Sequence, residues 1–416
     1  MLTPRYKLLV PVLLATGLSL NGFMAWKDRD LVRKGYPDFT IFYSAGKMVR
    51  AGMASSLYDE PVELQTQLQF APDVSIRHGS LPYNHPPFEA LLFLPFTFLS
   101  YFPAYLAWNA LNIGLLGLAL GLLRRHVPFM WSQSLGIFLC AVAFFPIFIC
   151  LLQGQDMLLL FFLLATAYIF LKQGSDFLAG FCLGMGIFRP HLVLPIAVVL
   201  LFSRRLKAAL GIACSSLALM AISIAVVGWR GFLNYPRYVW TLEQIMGRGA
   251  IVPDDMPNLR GFLAIFFRDG HLAALILSAA GSVFLLILAV RFFRSADHAG
   301  NLELGFSVAV LVSVLVSYHA FIYDLGLLFL PALFFFDKAV VGPEDGMQRE
   351  HWESVIPVAV LFFTPLLMFL WLRLSHLNFL TPLLFLWLWG LSREISRLKR
   401  AGRDSFSGRT PAAPQT

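Results

Sequence analysis

Charged residues are scarce in this chain of 416 residues: they make up 13% of it, whereas 58% of the residues are hydrophobic. Soluble globular domains carry about twice that share of charge, so the composition excludes an ordinary soluble domain. Repeated apolar stretches of about 17–25 residues are typical of transmembrane helices. The sequence therefore predicts an all-α, polytopic integral membrane protein.

Cysteine is also rare, and its placement excludes two kinds of site. The four cysteines are Cys140, Cys150, Cys182 and Cys214. They lie singly in apolar runs without a CxxC pair, so neither a disulfide framework nor a zinc site is indicated. Gly180 and Gly184 do not belong to a G-x-G-x-x-G motif, which excludes a dinucleotide fingerprint. Their own G-x-x-x-G spacing predicts close packing of membrane helices.

The net charge of +8 comes largely from short basic clusters beside the apolar runs. These clusters are Arg5 with Lys7, Arg124-Arg125, Arg204-Arg205 with Lys207, Arg291 with Arg294, and Arg393 to Arg403. Such clusters mark the cytoplasmic ends of spans and do not indicate a nucleic-acid partner. The apolar run Leu8–Trp26 lacks an A-x-A cleavage site, so we interpret it as a retained first span with a cytoplasmic N-terminus.

The hydropathy and charge pattern predicts about ten spans in one transmembrane domain, residues 1–391. Two large external loops, residues 27–87 and 228–271, interrupt it, and a basic cytoplasmic tail, residues 392–416, is predicted to be disordered. Phe88–Leu99 is too short to span, and Ser134–Leu152 is expected to be one span.

The apolar stretch Phe177–Phe202 contains an Arg-Pro pair, Arg189-Pro190, near its middle. It is open to two interpretations, a single span or a broken re-entrant pair. We favour the re-entrant pair because a proline beside an arginine at mid-depth requires an interrupted helix that protein surrounds.

Asp38 is the first ionisable residue that the sequence singles out, at the head of the segment Phe39–Arg50. One interpretation is a helix N-cap, a position that Asp favours. The other is chemistry at the membrane surface. Because Phe39–Arg50 is amphipathic, we expect it to lie along the membrane. Partial desolvation there would raise the pKa and the basicity of the carboxylate.

Two other acidic pairs, Asp28 with Asp30 and Asp254 with Asp255, have spacings that suit a divalent ion. We interpret both as solvated charge runs, since residues of both signs surround the first pair. No metal and no other cofactor is predicted.

Arg189 and His191 flank the proline of the interrupted stretch. A broken helix exposes backbone N–H groups, and a guanidinium beside them is suited to clamping a phosphate. The alternative is a structural arginine whose head reaches the membrane interface. His191 adds a second possible donor.

Two further polar clusters fall on the same external side as Asp38. His319 and Asp324 form either an interfacial belt with nearby aromatic residues or a cluster that contacts a charged headgroup. Gln155 and Asp156 mark a tight turn, in which Asp156 is either a helix cap or, with Gln155, a ligand of sugar hydroxyls.

Short motifs spread over residues 36–331 also carry a resemblance to a known family. They are Asp38-Phe39 with Tyr43-x-Ala45, Gly52, Leu57-Tyr58-Asp59, Tyr83-x-His85-Pro86-Pro87-Phe88, Pro95, Trp108-x-x-Leu111-Asn112, Gly154-Gln155-x-x-x-Leu159, Ala179-Gly180-x-x-x-Gly184, Arg189-Pro190 and Tyr318-His319-x-x-x-Tyr323-Asp324. Their order and their fit to the topology resemble glycosyltransferase family 87, a GT-C class of polytopic enzymes. The chain has Arg189 where that family often has Lys, and His85 where it often has an aromatic residue.

The resemblance implies a polyprenyl-phosphate sugar donor, with mannose or another hexose as the sugar, and a lipid or glycan acceptor. Asp38 falls where the family places its catalytic aspartate, which makes it the expected general base of an inverting transfer. The residues expected to bind the donor phosphate or sugar are Arg189, His191, His319, Tyr43, Gln155, Asp156, Asp324 and His85. The implied location is the bacterial cytoplasmic membrane, among its lipids, with the site on the periplasmic side.

Two other function classes stay open at this point. A transporter or flippase of lipid-linked envelope precursors would use the same groove and internal charges. An envelope-glycan ligase or polymerase would use arginines in a large external loop, and this chain has Arg230, Arg237, Arg248 and Arg260. The acidic and aromatic external loops favour the transferase over a transporter, whose site would lie near the bilayer midplane.

Overall fold

The computed structural model describes residues 4–74, 79–128, 130–244, 253–267, 271–341, 352–371 and 380–407. These residues form helices joined by turns, with no β-strand among them. The first ten α-helices are α1 Pro4–Arg33, α2 Phe39–Arg50, α3 Glu60–Leu68, α4 Glu89–Phe93, α5 Tyr101–Leu123, α6 Met130–Ala143, α7 Phe145–Gln153, α8 Met157–Lys172, α9 Asp176–Met185 and α10 Pro190–Phe202. The remainder are α11 Leu206–Gln244, α12 Leu259–Phe266, α13 His271–His298, α14 Leu302–Val316, α15 Phe329–Val341, α16 Trp352–Trp371 and α17 Leu380–Ser407.

Three of the described helices are long and apolar enough to cross a membrane: Tyr101–Leu123, Leu206–Leu242 and Leu272–His298. A fourth span results if the bent pair α6 and α7 is counted as one. Several shorter apolar helices of 10–17 residues accompany them. The all-α membrane architecture is therefore confirmed, whereas the predicted count of ten spans stays a prediction.

The stretch expected to be one span, Ser134–Leu152, is bent by 65° between α6 and α7. Pro146 lies in the first turn of α7, a position that tolerates proline. The backbone of Phe144, directly before α7, is extended and separates the two helices. The stretch is therefore a broken helix, and its prediction as one span stays a prediction. The break in Phe177–Phe202 is confirmed between α9 and α10, where Pro190 begins the second helix. Its re-entrant character stays a prediction.

Gly180 and Gly184 bring α9 against α11, as the G-x-x-x-G spacing predicted. A Cβ at Gly180 would overlap the carbonyl oxygen of Ala208, and one at Gly184 would overlap the side chain of Ser215. The two backbones therefore approach more closely than any larger residue would permit. This contact joins α9 to the long helix α11, which also packs against α10, the helix that carries part of the site.

The segment predicted to be the first external loop, here called the first external region, is folded rather than an open loop. α1 continues into it as far as Arg33, and α2 and α3 lie within it, with α4 directly after it. Nine of the twelve residues of α2 are buried by the protein itself. The expectation that Phe39–Arg50 lies along the membrane surface is therefore wrong: Phe39 and Phe42 are fully buried in an aromatic core that Phe93 and Trp108 complete.

Helical structure extends past two predicted boundaries. α11 comprises two helices, an inner half and an outer half, which Gly228 separates with a non-helical φ of 72° and ψ of 169°. This break lies where the second external loop was predicted to begin, and the outer half places a helix within that segment. The tail predicted to be disordered is helical from residue 392 to Ser407, because α17 continues through it. Residues 408–416 lie outside the described part.

Candidate active site

The turn between α7 and α8 forms the centre of the site. Gly154 takes a left-handed conformation, φ 63°, which ends α7 without the penalty that a side chain would bring. α5 holds this turn: Trp108 Nε1 donates to the Gly154 carbonyl at 2.9 Å, and Asn112 Nδ2 donates to the Gln155 carbonyl at 3.0 Å. The Trp108-x-x-Leu111-Asn112 motif therefore has a physical purpose, which is to fix the position of Gln155.

Gln155 holds the carboxylate of Asp38. Its Nε2 donates to Asp38 Oδ2 at 2.7 Å, and the backbone N–H of Asp38 donates to Gln153 Oε1 at 3.1 Å. Asp38 stands directly before α2, but its side chain makes no capping hydrogen bond to that helix. The half-buried carboxylate is thus directed to the α7–α8 turn, and the capping interpretation loses its main support.

Arg189 lies behind Gln155 in a buried ion network. Its Nε donates to Asp156 Oδ1 at 2.7 Å, its Nη1 donates to Asp324 Oδ1 at 2.9 Å, and its Nη2 donates to Gln155 Oε1 and to Asp156. The arginine is 2% exposed and both aspartates are fully buried. Because two carboxylates offset its charge, Arg189 is better placed to orient Gln155 than to clamp a phosphate.

A cavity of about 260 Å³ opens in front of this network. The predicted site residues in its lining are Asp38, His85, Gln155, Arg189, His191 and His319. The structure therefore brings together the residue before α2, the segment before α4, the α7–α8 turn, the start of α10 and the turn after α14. Asp156 and Asp324 lie behind the wall, where they hold Arg189.

Tyr43 does not share this environment. Its hydroxyl donates to the Leu99 carbonyl at 2.8 Å, and its ring packs against Phe39, Phe70 and Tyr101. The side chain is 4% exposed. The geometry gives Tyr43 a packing role in the external region rather than a contact with substrate.

A second, largely apolar groove of about 850 Å³ adjoins the cavity. Pro190, His191, Tyr235 and Tyr318 line both spaces. The groove continues between α10, the outer half of α11, α12 and α13, and Arg260 of α12 is the charged residue among its described lining. Arg260 Nη1 donates to the Tyr318 carbonyl at 2.9 Å, at the junction of the two spaces.

The histidines at this junction are neutral donors or acceptors. Burial, together with the smaller effect of the Arg189 charge, lowers the pKa of His319 to about 3. The rings of His191 and His319 are 5.8 Å apart. His191 Nε2 and His319 Nδ1 are buried without a hydrogen-bond partner among the described residues, so each is available to a ligand.

Other sequence candidates fall elsewhere. Asp30 is exposed near the end of α1 and lies 3.8 Å from Arg29, in agreement with a solvated charge run. Among the arginines that favoured a ligase, Arg230 and Arg237 are exposed on the outer half of α11, and Arg248 lies outside the described residues. Only Arg260 of the four is shown to reach the groove.

Sequence reasoning missed two participants. Tyr235 lines both spaces, but nothing in the sequence near it distinguishes it from other interfacial tyrosines. Glu89 is 1% exposed and bonded to His85, whose Nδ1 lies 2.9 Å from Glu89 Oε2. The four-residue separation of this pair was no signal by itself, because His85 precedes α4 and the two residues do not share a helix.

Comparison with known proteins identifies a family. No curated protein and no solved structure matches the chain. The model of glycosyltransferase family 87 matches residues 83–317, which is more than half of the chain and includes Gln155, Arg189 and the groove residues other than Tyr318. This integral membrane protein therefore belongs to glycosyltransferase family 87.

Proposed function

We propose that the protein transfers a hexose, with mannose as the first candidate, from a polyprenyl-phosphate donor to a lipid or glycan acceptor on the external face of the bacterial cytoplasmic membrane. The reaction inverts the anomeric centre, and Asp38 is the general base. The observation that carries the proposal is the carboxylate of Asp38, which Gln155 holds at the wall of a cavity that continues into an apolar groove.

The reaction requires one base. Asp38 takes the proton of the acceptor hydroxyl while the acceptor oxygen forms a bond to the anomeric carbon. The bond from that carbon to the phosphate oxygen breaks, and polyprenyl phosphate leaves with the electron pair. An attack on the face opposite to the leaving group gives inversion with a single carboxylate, whereas retaining and inverting glycosidases use two.

Gln155 and Arg189 act as positioning residues in this mechanism. Gln155 donates to Asp38 through Nε2 and accepts from Arg189 through Oε1, so the guanidinium fixes which way the amide points. Asp156 and Asp324 hold the guanidinium in turn. A base oriented by a buried network loses little entropy when the substrates meet, which favours the reactive geometry.

The donor would place its lipid tail in the groove and its phosphate at the junction. The groove is apolar, as a polyprenyl chain requires, and Arg260 supplies a positive charge beside it. His191 and His319 present buried nitrogens there without partners among the described residues. We therefore assign the phosphate to Arg260 and the two histidines, and we modify the earlier expectation that Arg189 binds it.

The test is Asp38→Asn, which keeps the shape of the side chain and removes the base. We expect the rate of sugar transfer by the purified protein to fall by roughly 10²–10⁴-fold, the range that a general base contributes. Radiolabelled polyprenyl-phosphate mannose and glucose would be supplied with envelope lipid acceptors. The matched control is Asp30→Asn, an exposed aspartate outside the site.

Normal transfer by a folded Asp38→Asn variant would contradict the assignment of the base. Movement of the labelled donor across a vesicle without any transfer would contradict the transferase and support a flippase.

A further inference from the structure

Behind the cavity wall, three side chains converge that the reaction does not use directly. His85, Glu89 and Asp156 each offer one ligand atom, and these atoms all lie within 4.8 Å of one another. His85 precedes α4, Glu89 begins that helix, and Asp156 belongs to the α7–α8 turn. The cluster therefore joins the first external region to the turn that positions Gln155.

Two carboxylate oxygens of the cluster lack a donor. Glu89 Oε1 and Asp156 Oδ2 are buried and receive no hydrogen bond from any described residue. Their side chains are 1% and 0% exposed. A buried carboxylate oxygen without a donor or a cation is costly, because it has lost the water that solvated it. A cation, or a proton that the two carboxyl groups share, would satisfy these oxygens.

The charge balance favours a cation. Glu89, Asp156 and Asp324 bring three carboxylates, and Arg189 is the guanidinium paired with two of them. His85 adds no charge, since an imidazole that coordinates a metal does so in its neutral form. The buried group thus carries two uncompensated negative charges if all its carboxylates are ionised. One divalent cation offsets both.

We propose that His85, Glu89 and Asp156 bind a divalent cation. The ligands are one imidazole nitrogen, one oxygen of Glu89 and Asp156 Oδ2, with water in the remaining positions. This mixed set of oxygen and nitrogen atoms suits Mn²⁺ or Zn²⁺. Coordination by Nδ1 replaces the hydrogen bond between His85 and Glu89. The cation fastens α4 to the α7–α8 turn and takes no part in the displacement at the sugar.

The experiment measures binding, not transfer, so its result is separate from that of the proposed function. The full-length protein in detergent is treated with a chelator, dialysed, and titrated with Mn²⁺ alone and with Zn²⁺ alone. Bound metal is quantified by elemental analysis, and bound Mn²⁺ by electron paramagnetic resonance. Thermal unfolding is followed with and without each cation, because a ligand of the folded state raises the midpoint.

We expect stoichiometric binding of at least one of the two cations and a higher unfolding midpoint in its presence. Glu89→Gln should weaken binding by more than the roughly 10–100-fold that loss of an outer-shell partner costs. The control is Glu63→Gln, which alters another buried carboxyl group of the same region outside the cluster and should bind as the wild type does.

Wild-type protein that binds neither cation stoichiometrically, with an unchanged midpoint, would overturn the proposal. The two carboxyl groups would then share a proton. Equal loss of binding in Glu89→Gln and Glu63→Gln would also contradict it, since the effect would not belong to this cluster. The measurements on the wild type keep the test valid if Glu89→Gln does not fold.

Discussion

At the scale of single residues, the buried carboxyl group of Glu63 links two helices and carries a raised pKa. Glu63 accepts hydrogen bonds from the Tyr83 backbone N–H at 2.8 Å and from the Tyr238 hydroxyl at 3.0 Å. It thereby joins α3 to the outer half of α11. Burial raises the pKa of Glu63 from 4.5 to about 8, so the carboxyl group is largely protonated at neutral pH.

This pKa predicts how stability depends on pH. A carboxyl group with a raised pKa binds more protons when folded, so its contribution is fully present below about pH 4.5 and is lost as the pH rises towards 8. The slope is at most roughly 1.4 kcal/mol per pH unit. Glu63→Gln keeps a neutral acceptor and should remove this part of the slope. Unfolding midpoints between pH 5 and 9 measure it, and identical slopes for both proteins would contradict the prediction.

The site residues were predictable from sequence where a polar side chain interrupts an apolar run. Gln155, His191 and His319 met this condition, and all three line the cavity. Asp38, which also lines it, stood out instead at the head of an amphipathic segment and through the family resemblance. Glu89 did not stand out, because an acidic residue in an external segment looks like a solvated charge. It lies beside Asp156 of the α7–α8 turn, which is far away in the sequence.

At the scale of elements, proline and glycine decided what the sequence could reveal. The break before Pro190 was visible because proline disfavours a helical conformation of the residue before it and suits the first turn of a new helix. The bend before α7 was missed, although Pro146 marks it, since the flanking hydropathy is continuous. The full extents of α11 and α17 were missed because polar residues on a helix resemble the start of a loop.

The contact between α9 and α11 gives a prediction at this scale. Gly180→Ala places a methyl group against the Ala208 backbone, which cannot move without shifting α11. We expect a loss of about 1–3 kcal/mol in the free energy of unfolding, the usual cost of overpacking. Gly114→Ala in α5 is the control, because a Cβ there meets nothing within 4 Å. Equal stabilities in detergent would show that the close approach is unimportant.

At the scale of the whole molecule, the fold class followed from composition, and the family followed from the order of its motifs. The burial of α2 did not follow, because a buried amphipathic helix and a surface helix share one sequence pattern. Nor did the groove, which assembles α10, α11, α12 and α13 from separate parts of the chain.

The groove predicts how the enzyme distinguishes donor tails. Ala264→Phe fills part of the groove and should raise the KM for a long polyprenyl donor by about tenfold, the cost of two buried methylenes at about 0.8 kcal/mol each. The KM for a short-chain analogue should stay unchanged. Val283→Phe, on the exposed face of α13, is the control. Equal effects on both donors would place the tail elsewhere.

The wall that the cavity and the groove share has a consequence for engineering. Pro190 and His191 begin α10, Tyr235 belongs to α11, and Tyr318 follows α14. No contiguous segment therefore carries acceptor preference alone, and a chimera that exchanges one loop with a relative would alter how both substrates fit. Specificity in this architecture therefore belongs to several helices together and to no single segment of the chain.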